Sequence, residues 1–516
     1  MKGLPISTCR FLATLARAPR IAVVGSGPGG LYVCDGVLRR LPKCEVDVVE
    51  CNVVPYGLIR YGVAPDHPEV KNCINKFDRM FTANAHRLSL FCNVCVGRDI
   101  TFDELCADYD AVVLAYGARR QRRLAVPGVS SKNVFSGGDF VSWYNAHPGA
   151  EQPKLDCENA VVVGVGNVAL DCCRILLSAG GERLAQSDMP SQILDHLARS
   201  KVNTVTIVGR RGPLDVVVGV GNVALDCCRI LLSAGGERLA QSDMPSQILD
   251  HLARSKVNTV TIVGRRGPLD ASFLFYHPFL VSFTIKELRE QVTLPGCSFT
   301  MQLSDADLKA INESLASLPR PRKRLTELMM KNWNRDEPRS RRHCELLFRR
   351  SPVEILADDD GWVSGVRMRN SQTETLEDLR CGLLIYSLGF ENVVLDGVPQ
   401  DENGRIKMRD SVRVHTAGET LVYASGWCAH TPRGVIANTQ VDSANVAKAL
   451  CSDIGLRGVK PHIESSVAER LKLKGVQYTT WQQWKAIDER EKQLGHHKIA
   501  GMVVQENSIA DDNWRS

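Results

Sequence analysis

The sequence predicts an α/β protein with two nucleotide-binding units, each built on a parallel sheet. Two glycine-rich turns carry this prediction, because each follows an apolar strand and precedes a helical pattern, at residues 21–30 and 161–167. Strand patterns also alternate with helical ones through most of the chain, as in βαβ units. A length of 516 residues exceeds what one compact core needs, so two or three domains are expected.

The first unit opens with four apolar strand formers, residues 21–24, which run into Gly25-x-Gly27-x-x-Gly30. A turn of this kind presents backbone N–H groups at a helix start, where a pyrophosphate can bind. A second strand ends in Glu50, twenty residues after Gly30, where a carboxylate can accept ribose hydroxyls. The sequence therefore predicts a dinucleotide site, with a ligand-free glycine turn as the alternative.

A loop rich in Pro, Gly and polar residues follows, at residues 51–72, and its composition indicates a site loop rather than a linker. The strand of residues 111–115 then ends in Tyr116-Gly117-Ala118, where the chain can pass close to a bound nucleotide. The first unit is interrupted after Ala118, before the second unit begins.

The second unit opens with the strand that leads to Gly164-x-Gly166-Asn167. Its next strand, residues 205–208, is followed by Gly209, Arg210 and Arg211. Two guanidinium groups replace the acid of an NAD site and suit a 2'-phosphate, so the pattern predicts NADP. An arginine pair on a solvated turn is the alternative.

A perfect duplication interrupts this unit, because residues 161–215 recur without a change as residues 216–270. Stacked repeats usually diverge, so an unaltered copy indicates a recent exon duplication or a gene-model error. We expect one copy to form the site and the other to pack poorly or protrude. An aromatic insert without periodicity, residues 271–280, follows the second copy.

The chain near its C-terminus returns to a strand, a Gly-Trp turn around Trp427 and a helix that begins near Gly434. Backbone amides at such a helix start can face the polar edge of a flavin. Trp427 as an ordinary core residue is the alternative. The tail, with Trp481, Trp484 and Asp488, is predicted to be a polar helix without chemistry.

The net charge of +6 is concentrated in the N-terminal leader, where Lys2, Arg10, Arg17 and Arg20 precede the first acid, Asp35. The rest of the chain is nearly neutral, which argues against nucleic acid as a partner. The chain contains no apolar run of the roughly 18 residues that a membrane span requires. Residues 1–18 have the Arg-bearing, acid-free composition of a mitochondrial transit peptide, with a disordered tail as the alternative.

The 18 cysteines are scattered through strand and helix patterns, which favours buried thiols in a reducing compartment. Cys92-x-x-Cys95 lies in a strand-like run rather than at a helix start, so no active dithiol is expected. His496 and His497 are adjacent, a poor spacing for binding one ion jointly, and no metal site is predicted.

Taken together, these stretches resemble the adrenodoxin reductase family of mitochondrial NADPH:ferredoxin oxidoreductases. The resembling stretches are IAVVGSGPGG, VPYGLIRYGVAPDHPEVKN, VVLAYGA, VGNVALD, VGRRGPL, FTIKELRE, RPRKRLTEL and SGW followed by PRGVI. The resemblance implies two Rossmann-like domains, an FAD domain of residues 19–118 and 392–516 and an inserted NADP domain of residues 119–391.

The family resemblance also implies cofactor-binding residues. For FAD they are Gly29, Glu50, Leu58, Val96, Trp427, Gly434, Val435 and Ile436. For NADPH they are Val165, Gly166, Asn167, Val168, Arg210, Arg211, Glu287 and Gly434, with Gly221, Asn222, Arg265 and Arg266 as the duplicates.

Two further roles follow from the resemblance. His67 and Asp171, or the duplicate Asp226, match a buried polar pair near the flavin that takes part in proton handling or cofactor alignment. Arg320 and Arg324 fall in a basic segment that docks an acidic ferredoxin, with a solvated helix start as the alternative.

The implied function is transfer of electrons from NADPH through FAD to a [2Fe-2S] ferredoxin. The enzyme would be a monomer of the mitochondrial matrix, in peripheral association with the inner membrane. A small disulfide or a quinone is an alternative acceptor, although a disulfide would need an active dithiol. A catalytically impaired splice or gene-model variant that still binds nucleotide is the alternative of another class, since the duplication and the insert alter the NADP domain. Thr431 also stands where the family has glycine before Pro432.

Overall fold

A computed structural model of the chain describes residues 17–65, 67–118, 120–164, 167–178, 182–209, 232, 259–264, 285–294, 297–318, 320–333, 342–371, 373–430, 436–461 and 463–494. Several predicted features lie outside these residues: the leader up to residue 16, the insert 271–280, Val165, Gly166, Arg210, Arg211, Gly221, Asn222, Asp226, Arg265, Arg266, Thr431, Gly434 and Val435.

The strands, in chain order, are β1 (Arg20–Val24), β2 (Glu45–Glu50), β3 (Leu88–Cys92), β4 (Ala111–Leu114), β5 (Arg120–Gln121), β6 (Val134–Ser136), β7 (Asn159–Val163), β8 (Thr204–Gly209), β9 (Thr259–Gly264), β10 (Cys297–Gln302), β11 (Arg342–Leu347), β12 (Arg350–Ala357), β13 (Val363–Asn370), β14 (Leu376–Arg380), β15 (Leu383–Tyr386), β16 (Phe390–Glu391) and β17 (Leu421–Ala424).

The helices are α1 (Pro28–Arg40), α2 (Leu58–Tyr61), α3 (Pro68–Lys71), α4 (Cys73–Ala83), α5 (Phe102–Asp108), α6 (Gly137–Tyr144), α7 (Asn167–Ser178), α8 (Glu182–Ala185), α9 (Ser191–Ala198), α10 (Ile285–Val292), α11 (Asp305–Ser314), α12 (Arg320–Asn332), α13 (Ile436–Arg457), α14 (Val467–Leu473) and α15 (Trp481–Gln493). Of the helices described, none is both long enough and apolar enough to cross a membrane.

The first sheet is parallel throughout and has the order β17-β4-β1-β2-β3. Its central strand is fully buried at Ile21, Ala22 and Val23, which is why this segment reads as a continuous apolar run. Helices α1 and α13 pack against each other so closely that a Cβ at Gly36 would lie 2.6 Å from that of Ala447. Because β17 returns to this sheet after the second one is complete, the second unit is inserted in the first.

The second sheet has the order β10-β11-β9-β8-β7-β15-β6 and is also parallel throughout. Strands β8 and β9 are the same segment in the two copies and pair in register from Val205↔Val260 to Gly209↔Gly264. The expectation that one copy would protrude is wrong for this strand, since β9 is bonded on both sides and Val260 is 1% exposed. Two parallel neighbours need a connection of roughly a dozen residues or more, and the segment 210–258 between β8 and β9 is longer than that, which explains this acceptance.

Two small antiparallel elements complete the fold. One is the sheet β12-β13-β14, and the other is the pair β5–β16. Strands β5 and β16 are the two places where the chain passes between the large sheets. Arg120 Nε contacts a carboxylate oxygen of Glu391 across this pair at 3.1 Å, so the two crossings are held side by side.

The C-terminal helix α15 is part of the first core, although its sequence reads as polar. Trp484 is 2% exposed and meets the Tyr56 ring edge-on at a centroid distance of 5.9 Å, while Trp481 stacks on Phe81 at 4.3 Å. The helix begins with a capping box at Thr480, which satisfies the backbone N–H groups of its first turn. The tail is therefore helical, as predicted, and it anchors the segment that holds residues 56–81.

Candidate dinucleotide sites

The turn after β1 has a backbone that suits only glycine. Gly25 has a φ of +107°, and a Cβ there would lie 2.4 Å from the carbonyl oxygen of Ala115. Its N–H donates to the Val49 carbonyl at 2.7 Å, which ties the turn to the neighbouring strand β2. The turn is thus fixed before any ligand binds.

Helix α1 begins directly after this turn, with Gly27 as its N-cap and Pro28 at its first position. No described side chain caps the helix, and a Cβ at Gly27 would meet no described heavy atom within 4 Å. Gly29 and Gly30 are buried in the first turn, and Gly30 packs on the Gly25 carbonyl. An uncapped helix N-terminus that faces open space is suited to a phosphate group.

Glu50 ends β2 and is 4% exposed, with its carboxylate turned toward the glycine-rich turn. One oxygen accepts hydrogen bonds from the N–H and the hydroxyl of Ser26, at 2.9 and 2.8 Å. The other accepts from the Asn52 N–H at 2.9 Å. The sequence argument missed Ser26, whose place inside the glycine motif was the available signal. Binding of ribose by Glu50 stays a prediction.

The predicted site loop, residues 51–72, does lie against the glycine-rich turn. The Tyr56 N–H donates to the Ser26 carbonyl at 3.2 Å, and a Cβ at Gly57 would lie 3.5 Å from the Gly27 Cα. Leu58 is the first residue of α2 and is partly exposed at this junction. Val96, another predicted contact, is 6% exposed in the loop after β3.

The chain segment after β17 also reaches the start of α1. The hydroxyls of Ser425 and Ser443 both donate to the Gly29 carbonyl, at 3.1 and 3.0 Å, and both side chains are buried. Trp427 lies in a short 3₁₀ turn, partly buried, with its ring 6.3 Å from that of Phe390. Ile436 is the first described residue of α13. Two distant segments therefore converge on one glycine-rich turn.

The second sheet repeats this turn geometry after β7. Gly164 has a φ of +140°, a Cβ there would lie 2.4 Å from the Ser387 carbonyl oxygen, and its N–H donates to the Val208 carbonyl at 2.7 Å. Helix α7 begins at Asn167, and Val168 lies in its first turn. Strand β8 runs parallel to β7, so both strands end at the same edge of the sheet.

His67 and Asp171 are brought together from the two units. His67 is the N-cap of α3, and its Nε2 lies 3.6 Å from an Asp171 carboxylate oxygen on α7. The sequence argument missed Arg174, whose guanidinium lies 3.1 Å from the same Nε2 and also donates to Asp171. The expectation of a buried pair is wrong, since the side chains are 36% and 23% exposed.

Lys71 and Asp188 form a second contact between the units. The ammonium group lies 2.9 and 2.8 Å from the two carboxylate oxygens, and the Lys71 side chain is 10% exposed. Burial lowers the pKa of Lys71, and the Asp188 carboxylate opposes that shift. The Tyr61 ring, on α2, also meets the His147 ring edge-on at 4.6 Å.

The remaining predicted residues lie in the second unit. Glu287 is in the first turn of α10, and Arg320 and Arg324 are exposed on α12.

Within the described ranges, no three His, Cys, Asp or Glu side chains are grouped so that they could hold a metal ion. Cys92 is a buried free thiol at the end of β3, and burial raises its pKa well above the ordinary value.

A family model for pyridine nucleotide-disulphide oxidoreductases matches residues 19–214. The mitochondrial NADPH:adrenodoxin oxidoreductase of Salvelinus fontinalis is 37% identical over 513 residues, covering 94% of this chain and 88% of the relative. The chain belongs to the NADPH:adrenodoxin oxidoreductase family. The human member of this family is 34% identical over 96% of the chain and 91% of its own length. The Drosophila melanogaster member is also 34% identical, over 96% of the chain and 94% of its own length.

One solved structure is similar to this chain over most of its length. The Mycobacterium tuberculosis protein FprA in complex with NADPH superposes with a TM-score of 0.64 at 28% identity, covering 94% of this chain and 96% of FprA. The stretch matched by the family model, residues 19–214, includes both glycine-rich turns and the helices that follow them.

Proposed function

We propose that the chain transfers electrons from NADPH, through FAD, to a [2Fe-2S] ferredoxin of the adrenodoxin type in mitochondria. The observation that carries this proposal is the contact of His67, from the loop beside the first turn, with Asp171 and Arg174 on the helix after the second turn. This contact supports a common junction, because it joins the segment beside the first glycine-rich turn to the helix that follows the second. Hydride transfer requires such proximity between donor and acceptor.

The residues of the first unit fit FAD. The open space at Gly27, the uncapped start of α1 and the buried Glu50 carboxylate suit a pyrophosphate and an adenosine ribose. We assign the contacts near the flavin to Leu58, Val96, Trp427 and the 434–436 segment, following the family resemblance. FAD, when bound, accepts two electrons together and can release them singly, which no side chain can do.

The residues of the second unit fit NADPH. The Gly164 turn, held to β8 by its hydrogen bond to Val208, opens at the start of α7. Arg210 and Arg211 follow β8 in the sequence, and two guanidinium groups suit a 2'-phosphate, so we expect preference for NADPH over NADH.

Arg174 determines how His67 can act. A guanidinium group only donates hydrogen bonds, so the His67 Nε2 atom that it contacts at 3.1 Å must accept. The ring proton of neutral His67 then lies on Nδ1. We propose that Arg174 holds His67 in this tautomer and orients its ring, with Asp171 fixing the guanidinium in turn.

The acceptor docks on α12 in this proposal. Arg320 and Arg324 are exposed near the helix N-terminus, where a cation is unfavourable for helix stability, and this supports a role outside the helix. Arg320→Glu and Arg324→Glu should raise the KM for ferredoxin and weaken its salt dependence. The exposed Lys309 on α11 provides the matched control, Lys309→Glu. Equal effects in all three variants would overturn this docking surface.

The decisive experiment is the anaerobic visible spectrum of the purified chain with NADPH, using NADH as the control. A flavin band that bleaches with NADPH and hardly with NADH is expected. A colourless protein would overturn the FAD assignment, and equal bleaching by both nucleotides would overturn the NADP assignment.

A nucleotide-binding protein without turnover is the second candidate. Strand β9 favours it, because in the sheet β9 lies between β8, the strand before Arg210, and β10, the strand that follows helix α10 with Glu287. A yellow protein that NADPH fails to bleach would support this candidate.

We also propose that the chain is a monomer of the matrix, associated peripherally with the inner membrane. Size-exclusion chromatography and fractionation of mitochondria test these two points.

A further inference from the structure

We propose that the two identical copies have unequal roles. The first copy, residues 161–215, serves the nucleotide site, and Asp188 of this copy seats it against the loop of the first unit through Lys71. Strand β9, residues 259–264 of the second copy, is a spacer within the sheet. This inference rests on the proposed function and assigns it to one copy.

The contacts between the units select the first copy. His67 meets Asp171 and Arg174, and Lys71 meets Asp188. The second copy contains the same residues at 226, 229 and 243, so residue chemistry alone offers no choice between the copies. The positions of the two copies in the fold distinguish them.

Sheet order supports the same assignment. Strand β7 of the first copy pairs with β15 on one side and β8 on the other, and the Gly164 turn follows it directly. Strand β9 of the second copy lies beyond β8, about 10 Å from β7 at an inter-strand spacing of about 4.8 Å.

Lys71 is suited to a seating role because it is buried and charged. It ends helix α3, whose N-cap is His67, so the position of one end of this short helix fixes the other. Two carboxylate oxygens of Asp188 hold the Lys71 ammonium group. Without that carboxylate, a nearly buried cation would lack its counter-charge and α3 would shift toward water.

The duplication supplies its own controls, because Asp188→Asn and Asp243→Asn change the same local sequence at two places in the fold. We expect Asp188→Asn to lower kcat/KM for NADPH about tenfold, mainly through KM, while the spectrum of bound flavin is unchanged. Asp243→Asn should stay within about twofold of the parent chain. Asp188→Glu should recover most of the loss, since it restores the charge.

A second pair keeps the assignment falsifiable if Asp188→Asn fails to fold. Arg174→Lys should alter the pH profile of flavin bleaching by NADPH, while Arg229→Lys should not. Equal losses at Asp188 and Asp243, or equal changes at Arg174 and Arg229, would overturn the inequality of the copies. Deletion of residues 216–270 gives the same sequence as deletion of residues 161–215. NADPH should still bleach the flavin band of this shortened chain. If neither length bleaches with NADPH, the proposed function fails instead.

Discussion

The ion pair between Arg60 and Glu491 joins helix α15 to helix α2 beside the first glycine-rich turn, and its removal should destabilise the first unit. One guanidinium nitrogen of Arg60 lies 2.9 and 2.7 Å from the two Glu491 oxygens, and the side chains are 7% and 2% exposed. Burial alone would lower the pKa of Arg60, but Tyr61 and Glu491 raise it overall. The guanidinium also lies over Trp484, 4.8 Å from the ring centroid.

Glu491→Gln keeps the shape of the side chain and removes the counter-charge of a buried cation. Breaking a buried pair in this way costs about 3–5 kcal/mol, because one charge is left uncompensated. For a domain of about 200 residues, each kcal/mol corresponds to roughly 2–4 °C, so Tm should fall by about 6–20 °C. The measurement is release of bound flavin on heating, followed by fluorescence.

Glu489→Gln is the matched control, because Glu489 lies on the same helix with its side chain 63% exposed. Its Tm should change by no more than about 2 °C, as for an ordinary surface substitution. The double variant Arg60→Met with Glu491→Leu should be more stable than Glu491→Gln, since it leaves no charge unpaired. Equal Tm values for Glu491→Gln and Glu489→Gln would refute the reasoning.

Three further predictions concern single groups. Burial alone would raise the pKa of Asp453, but hydrogen bonds from Arg413 and Tyr423 lower it overall. The ionised Asp453 carboxylate therefore stabilises the folded state above about pH 4, and this contribution is lost as pH falls through the folded-state pKa. Thermal unfolding between pH 5 and 3 should therefore show a smaller loss for Asp453→Asn than for the parent chain, and parallel curves would contradict this. Burial raises the pKa of Cys428 to about 11, so iodoacetamide should label this residue below pH 9 only after unfolding, as read by mass spectrometry of the peptide. Glu50→Gln should weaken FAD binding to the apoprotein about tenfold, because charge-assisted hydrogen bonds from Ser26 to the Glu50 carboxylate hold the glycine-rich turn. An unchanged Kd for FAD would show that the turn keeps its shape without these hydrogen bonds.

The local parts of the fold could be predicted from the sequence. The first strand, its turn, the helix that follows and the strand that ends in Glu50 all lie where the pattern placed them. Residues 51–72 do contact the glycine-rich turn. Periodicity and glycine spacing determine these features over ten or twenty residues, so a single sequence contains enough information.

The long-range parts could not be predicted in this way. The place of β9 depends on which strands are free to pair, and the role of Trp484 depends on packing against residues about 400 positions away. Arg174 reads as one of many helical arginines until the fold brings His67 to it. The roles of the predicted cofactor residues stay predictions until ligands are bound.

The pairing of β8 with β9 has a consequence for how the chain folds. Both strands have the same sequence and pair in register, so an exchange of the two would present the same side chains to both faces of the sheet. Side-chain complementarity therefore cannot encode their order. Only chain connectivity and the contacts of the flanking helices distinguish the two arrangements, which makes this region a source of frustration in the folding landscape.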